Sequence, residues 1–265
     1  LITKALAIKP DYAEAHGNLG LAFQELGKLE KALASYHRAI GIKPEYAEAH
    51  YNLGVIQQAL GKQNEAITSY QKELKINKNY EEAHSNLGVV FQSLGKFDEA
   101  IASFYENSKI NPNSAEVYYN LGSAFRALGN LDKAVSYCDK ALSIKPDYPE
   151  VYNNRGNTLL ELCKLQEAID SYKRALSYKP GFALAHSNLL VAEQYRSTND
   201  AETLYNLHCE WDERHGRIFS KSWPKYQNSP VPERRLRIGF ISQDLRRHPV
   251  GYFTIGIILF TYLFV

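Results

Sequence analysis

A glycine returns every 34 residues in this chain, at Gly20, Gly54, Gly88, Gly122 and Gly156, preceded by leucine in the first four cases. Ala32, Ala66, Ala100, Ala134 and Ala168 keep the same step. So do Pro10, Pro44, Pro112, Pro146 and Pro180, with Lys78 where one proline is missing. A chain that repeats its small and apolar positions at this interval builds one supersecondary unit again and again. Each unit must bury its apolar face on the next. The blocks begin at Ala13, Ala47, Glu81, Ala115 and Pro149. They define full repeats over 13–46, 47–80, 81–114, 115–148 and 149–182, with partial repeats over 1–12 and 183–195.

Each recurring position has a local reason. The glycine sits midway along a first helix, where the lack of a side chain is expected to admit a second helix through its small alanine. Gly27, Gly61, Gly95 and Gly129 follow the first helix and are placed for the left-handed conformation that ends it; Cys163 breaks that series. The proline cannot continue the second helix and is expected to fix the repeat boundary. The pattern resembles the tetratricopeptide repeat, a helix–turn–helix unit of this length. The resemblance covers residues 1–195 and implies an all-α superhelix, an α-solenoid, whose first helices line a concave groove.

Asparagine stands two residues before each helical glycine, at Asn18, Asn52, Asn86, Asn120 and Asn154, and again at Asn188 in the last partial block. An amide carries donors and an acceptor, so a ladder of them can pair with the backbone of an extended peptide without reading its side chains. A role in bonding adjacent repeats stays open beside that one. His16, His50 and His84 recur at the position later filled by Tyr118 and Tyr152, which argues for packing; ligands one repeat apart would not converge on a metal. Arg155 replaces the leucine of the other blocks and is expected to lie along the groove with its charged head in water.

The formal charge of +2 gives no reason to expect nucleic acid as a partner. The only cysteines, Cys138, Cys163 and Cys209, are too few and too far apart for a disulfide framework, which fits a reducing, cytoplasmic setting. The chain starts at Leu1 and contains no methionine, so it reads as a fragment.

After residue 195 the repeat pattern fails. Asp200 is placed to cap a helix running to about Arg217, with Leu204, Leu207 and Trp211 at helical spacing. Pro224, Pro230 and Pro232 then mark a linker, so 196–233 reads as a capping helix and connector. A different grammar starts at 234. Leu236, Ile238 and Phe240 alternate as in a buried strand, Ser242-Gln243-Asp244 forms the loop at its carboxyl end, and His248-Pro249 follows.

Repeats followed by "LRIGFISQDLRRHPVGYF" resemble the protein O-linked N-acetylglucosamine transferase family. The resemblance implies that 234–265 opens an α/β Rossmann-like catalytic region. It further implies transfer of N-acetylglucosamine from UDP-GlcNAc to serine or threonine of proteins without a required cofactor or metal; a related branch uses a fucose donor. It places His248 at the active site, where an imidazole can accept a hydroxyl proton, with Asp244 as a second candidate. Only about thirty residues follow Arg235, against the hundreds such a region needs, so this chain is expected to hold one strand of an incomplete domain and to be inactive alone. Pro249 to Val265 carries no charge, yet it is shorter than a membrane span and is cut by Gly251 and Gly256. A non-catalytic tetratricopeptide scaffold that binds extended peptides is the alternative reading.

Overall fold

The computed structural model describes residues 2–217, and thirteen α-helices account for nearly all of them. A short α1 (Ile2–Ile8) precedes five helix pairs: α2 (Ala13–Glu25) with α3 (Leu29–Ile42), α4 (Ala47–Ala59) with α5 (Gln63–Ile76), α6 (Glu81–Ser93) with α7 (Phe97–Ile110), α8 (Ala115–Ala127) with α9 (Leu131–Ile144), and α10 (Pro149–Glu161) with α11 (Leu165–Tyr178). Helices α12 (Ala183–Gln194) and α13 (Ala201–Trp211) follow, and a single π-helical turn, Asp212–Gly216, closes the described chain. Every first helix begins at the residue the period predicts.

The turns show why the pattern repeats so faithfully. Gly27, Gly61, Gly95 and Gly129 adopt φ of 68°, 74°, 73° and 76°. At the first of these, the Lys28 amide reaches back to the Phe23 carbonyl at 2.8 Å and satisfies an otherwise orphaned end. Cys163 holds the same conformation at φ 58° and closes the same bond, Lys164 to Leu159 at 2.8 Å. A side chain in that region is strained by about 1 kcal/mol. The turn survives because the helix termini around it demand it. Proline proves dispensable at the other boundary: Tyr80 bonds to the Asn77 carbonyl beside Lys78 much as Tyr46 bonds to Lys43 beside Pro44.

The helical glycines correct one expectation. A Cβ on Gly20, Gly54, Gly88 or Gly156 would lie 2.5–2.7 Å from the ring of Tyr36, Tyr70, Phe104 or Tyr172, so the glycine seats an aromatic sixteen residues on and not the alanine. At Gly122 the aromatic is replaced by Cys138, whose Sγ would be 3.2 Å away. The alanines at Ala32, Ala66, Ala100, Ala134 and Ala168 are fully buried alongside.

Packing is strongest within each pair and next strongest between a second helix and the first helix of the following repeat. First helices also approach one another directly, in every successive pair from α2 and α4 to α10 and α12, a closeness the second helices do not reach. The first helices therefore lie on the inner side of the array and the second helices splay on the outer side. No helix among the described residues is long and apolar enough to cross a membrane.

Asp200 caps α13 as expected, accepting from the Thr203 amide at 2.8 Å. The helix docks through Trp211, whose indole N–H donates to Ser187 at 3.0 Å, and through His215, 3.0 Å from His186. Leu204 and Leu207 are only half-buried. The strand expected over 236–241, and everything else read into 234–265, lies outside the described residues.

Candidate functional site

The inner surface is built from the exposed faces of the first helices, and all six asparagines stand on them. Asn18 is exposed, Asn52, Asn86, Asn154 and Asn188 are half-buried, and Asn120 is buried. Three of the six amides are engaged internally. Asn86 donates to the Tyr51 hydroxyl at 3.2 Å, and Asn188 donates to Asn153 at 2.9 Å and Asn157 at 3.1 Å. Asn154 lies beside the Tyr119 hydroxyl and offsets part of the rise that burial gives its pKa. Each of these amides reaches the residue 35 positions earlier in the preceding repeat, and Asn188 reaches Asn157 as well, so the ladder braces neighbouring repeats at these three steps. Asn18, Asn52 and Asn120 keep their amides free of such bonds among the described residues.

The histidines act as struts. The ring Nε2–H of His16, His50 and His84 donates to the carbonyl of Pro10, Pro44 and Lys78 at 2.8, 2.8 and 3.0 Å, and the Tyr118 hydroxyl does the same to Pro112 at 3.1 Å. Because a carbonyl only accepts, the proton must sit on Nε2. Arg155 departs from expectation: its guanidinium is held by Asp139 at 2.7 Å and Ser171 at 2.8 Å, joining α9, α10 and α11 in place of a leucine's packing. Two clefts open on the outer side where second helices splay, one of about 240 Å³ over His50 and one of about 730 Å³ over His84. Both are open to solvent, and polar chemistry of another kind lies elsewhere.

That chemistry gathers where α4, α5 and α6 meet. The rings of Tyr51 and Tyr80 meet edge to face with centroids 4.9 Å apart. Glu73 stands beside them on α5, at the position occupied by buried alanine in Ala39, Ala141 and Ala175. Its side chain is 1% exposed, and Oε2 meets no donor. Burial, and then the charge of Glu82, push its carboxyl up to about 7. Burial pushes the Tyr80 phenol up to about 12, helped by Glu82, Tyr51, Glu73 and Glu48. Sequence reading missed this cluster, although one signal was available: Glu73, like Asn107 in the next repeat, breaks an alanine series at the 34-residue step.

Models of the tetratricopeptide repeat match this chain over residues 25–61, 59–95 and 90–129, over 113–180, and over 1–34. Residues 1–180 thus belong to the tetratricopeptide-repeat family. Among curated proteins, the chain is 42% identical over 72 residues to a tomato (Solanum lycopersicum) protein named "Probable UDP-N-acetylglucosamine--peptide N-acetylglucosaminyltransferase SPINDLY", and 36% identical over 69 residues to its Petunia hybrida counterpart. Each match takes in 26% of this chain and only 7% of the relative's length. Among solved structures, YrrB, "a TPR protein with an unusual peptide-binding site", superimposes with a TM-score of 0.64 at 23% identity, covering 73% of this chain and 97% of that one. Pseudomonas aeruginosa pilF gives 0.63 at 20% identity over 80% of this chain and 97% of its own. These likenesses establish the fold.

Proposed function

We propose that the array is the protein-recognising part of a protein O-GlcNAc transferase-like glycosyltransferase and that the first-helix groove receives an extended segment of its target. The observation that carries this is the register of six asparagines along one inner surface, half of them with amides uncommitted. Amides spaced one repeat apart suit a backbone whose own N–H and C=O groups recur in an extended strand. The similarity to SPINDLY proteins, together with "LRIGFISQDLRRHPVGYF" after the array, supports the transferase assignment.

Replacing Asn86 and Asn120 together by alanine should weaken an extended peptide bound to the full chain by about tenfold or more, two lost hydrogen bonds at about 1 kcal/mol each. Fluorescence anisotropy with a labelled peptide selected from a random library reads the affinity. A thermal melt on the same variant separates recognition from bracing, because losing the Asn86–Tyr51 bond loosens the repeat contact. Unchanged affinity would make the ladder structural.

For the chemical step we place His248 as the group that accepts the hydroxyl proton from the serine or threonine, with Asp244 as a second candidate, and UDP-GlcNAc as the donor substrate. General-base help of this kind is worth about 10² or more in rate. Sugar transfer by a protein carrying these residues should fall that far on His248→Ala, and transfer that survives the change would remove the assignment.

A further inference from the structure

The ends of the second helices carry a built-in arrangement for holding an ammonium group. Lys43 donates to Glu14 at 3.1 Å and lies 5.2 Å from the centroid of the Tyr46 ring. Lys179 donates to Glu150 at 2.8 Å and lies 4.9 Å from that of Phe182. Lys145 repeats the ring contact with Tyr148 at 4.7 Å. The parts keep one register: a lysine just past the second helix, a ring three residues on, and a glutamate at the second residue of that repeat's first helix. A cation between a carboxylate and an aromatic face is attracted by both.

Repeat 47–80 keeps the carboxylate, Glu48, and the ring, Tyr80, but has Asn77 where Lys43, Lys145 and Lys179 stand in three others; repeat 81–114 has Asn111 there and no ring. Glu48 is exposed and has no ion-pair partner among the described residues. The same repeat junction adds a second ring, Tyr51, and a second exposed and unpaired carboxylate, Glu82. Beneath them lies Glu73, buried and with one oxygen unbonded. Three carboxyl groups and two tyrosines thus share a site at which no ion pair forms among the described residues. Alanine at the Glu73 position suffices for packing in three other repeats, so packing alone does not account for an acid there.

We propose that Glu48, Glu82, Tyr51 and Tyr80 form a receptor for one cationic side chain, a lysine or arginine, of the segment lying in the groove. The inference rests on the peptide-groove reading and adds a side-chain preference to it. The ligand's cation takes the place that Lys43 and Lys179 occupy in their own repeats. An anionic partner would be repelled.

The test uses dodecapeptides selected from a random phage-displayed library against the full chain and then resynthesised with fluorescein. The selected peptides should share a basic residue, and replacing it by glutamine should weaken binding about tenfold. Asn77→Lys, which restores the arrangement of the other repeats from within, should cost the basic peptide a similar factor while leaving the helix content unchanged. The glutamine version of the peptide should bind both proteins alike. Peptides that bind without a basic residue, or that ignore Asn77→Lys, overturn the receptor and leave the groove standing. Failure to select any peptide would remove both.

Discussion

Gly88→Ala should destabilise the array by about 2–3 kcal/mol, within the range for forcing atoms into a packed core. A Cβ at that position lies 2.5 Å from Cε1 of Phe104, a ring that is fully buried and has nowhere to turn. The same substitution at Gly122 provides the control. Its Cβ meets Cys138 Sγ and the Ala134 carbonyl at 3.2 Å, a contact that small shifts relieve. Alanine also gains up to about 1 kcal/mol of helix propensity over glycine. Gly122→Ala should therefore be close to neutral. Urea titrations followed by helical circular dichroism would show the contrast; equal losses at the two sites would mean that the aromatic seat does not set the spacing between paired helices.

Removing the buried acid should act in the opposite direction. With its carboxyl held up to about 7 in the folded chain against an ordinary value of 4.5, Glu73 stays protonated there while the unfolded chain has already released its proton. Its contribution to stability is intact below pH 4.5, declines as pH rises toward 7, and is flat above that. The loss is on the order of 3 kcal/mol. Glu73→Gln, which keeps the shape, and Glu73→Ala, which restores the residue of Ala39, Ala141 and Ala175, should both stabilise the protein at pH 8 and flatten its stability between pH 4.5 and 7. Stability profiles parallel to that of the unsubstituted protein would show that the carboxyl is solvated or paired.

These two sites also show how far the sequence could be read. Helix starts and the left-handed turns were legible because each depends on chemistry within a few residues, repeated five times. The partner of the helical glycine was not, although Tyr36, Tyr70, Phe104 and Tyr172 keep the same 34-residue step, broken only at Cys138. Periodicity reports register and is silent about which two series touch. The asparagine ladder has the same gap. Its amides turn inward where Tyr51, Tyr119 or Asn153 waits in the preceding repeat, and that depends on the pitch of the stack. Arg155 was read as solvated because its partners, Asp139 and Ser171, lie on two other helices. Glu73 is marked in the sequence only by its break in an alanine series, and burial is what shows that it lacks a counter-charge.

Hydrogen exchange of the full chain, with and without one selected dodecapeptide, tests the central claim most directly. Bound peptide should slow exchange in the first helices α4, α6 and α8 and leave the outer helices α5 and α7 unchanged. Protection confined to the outer helices, or spread evenly along the array, would contradict a groove built from the first helices.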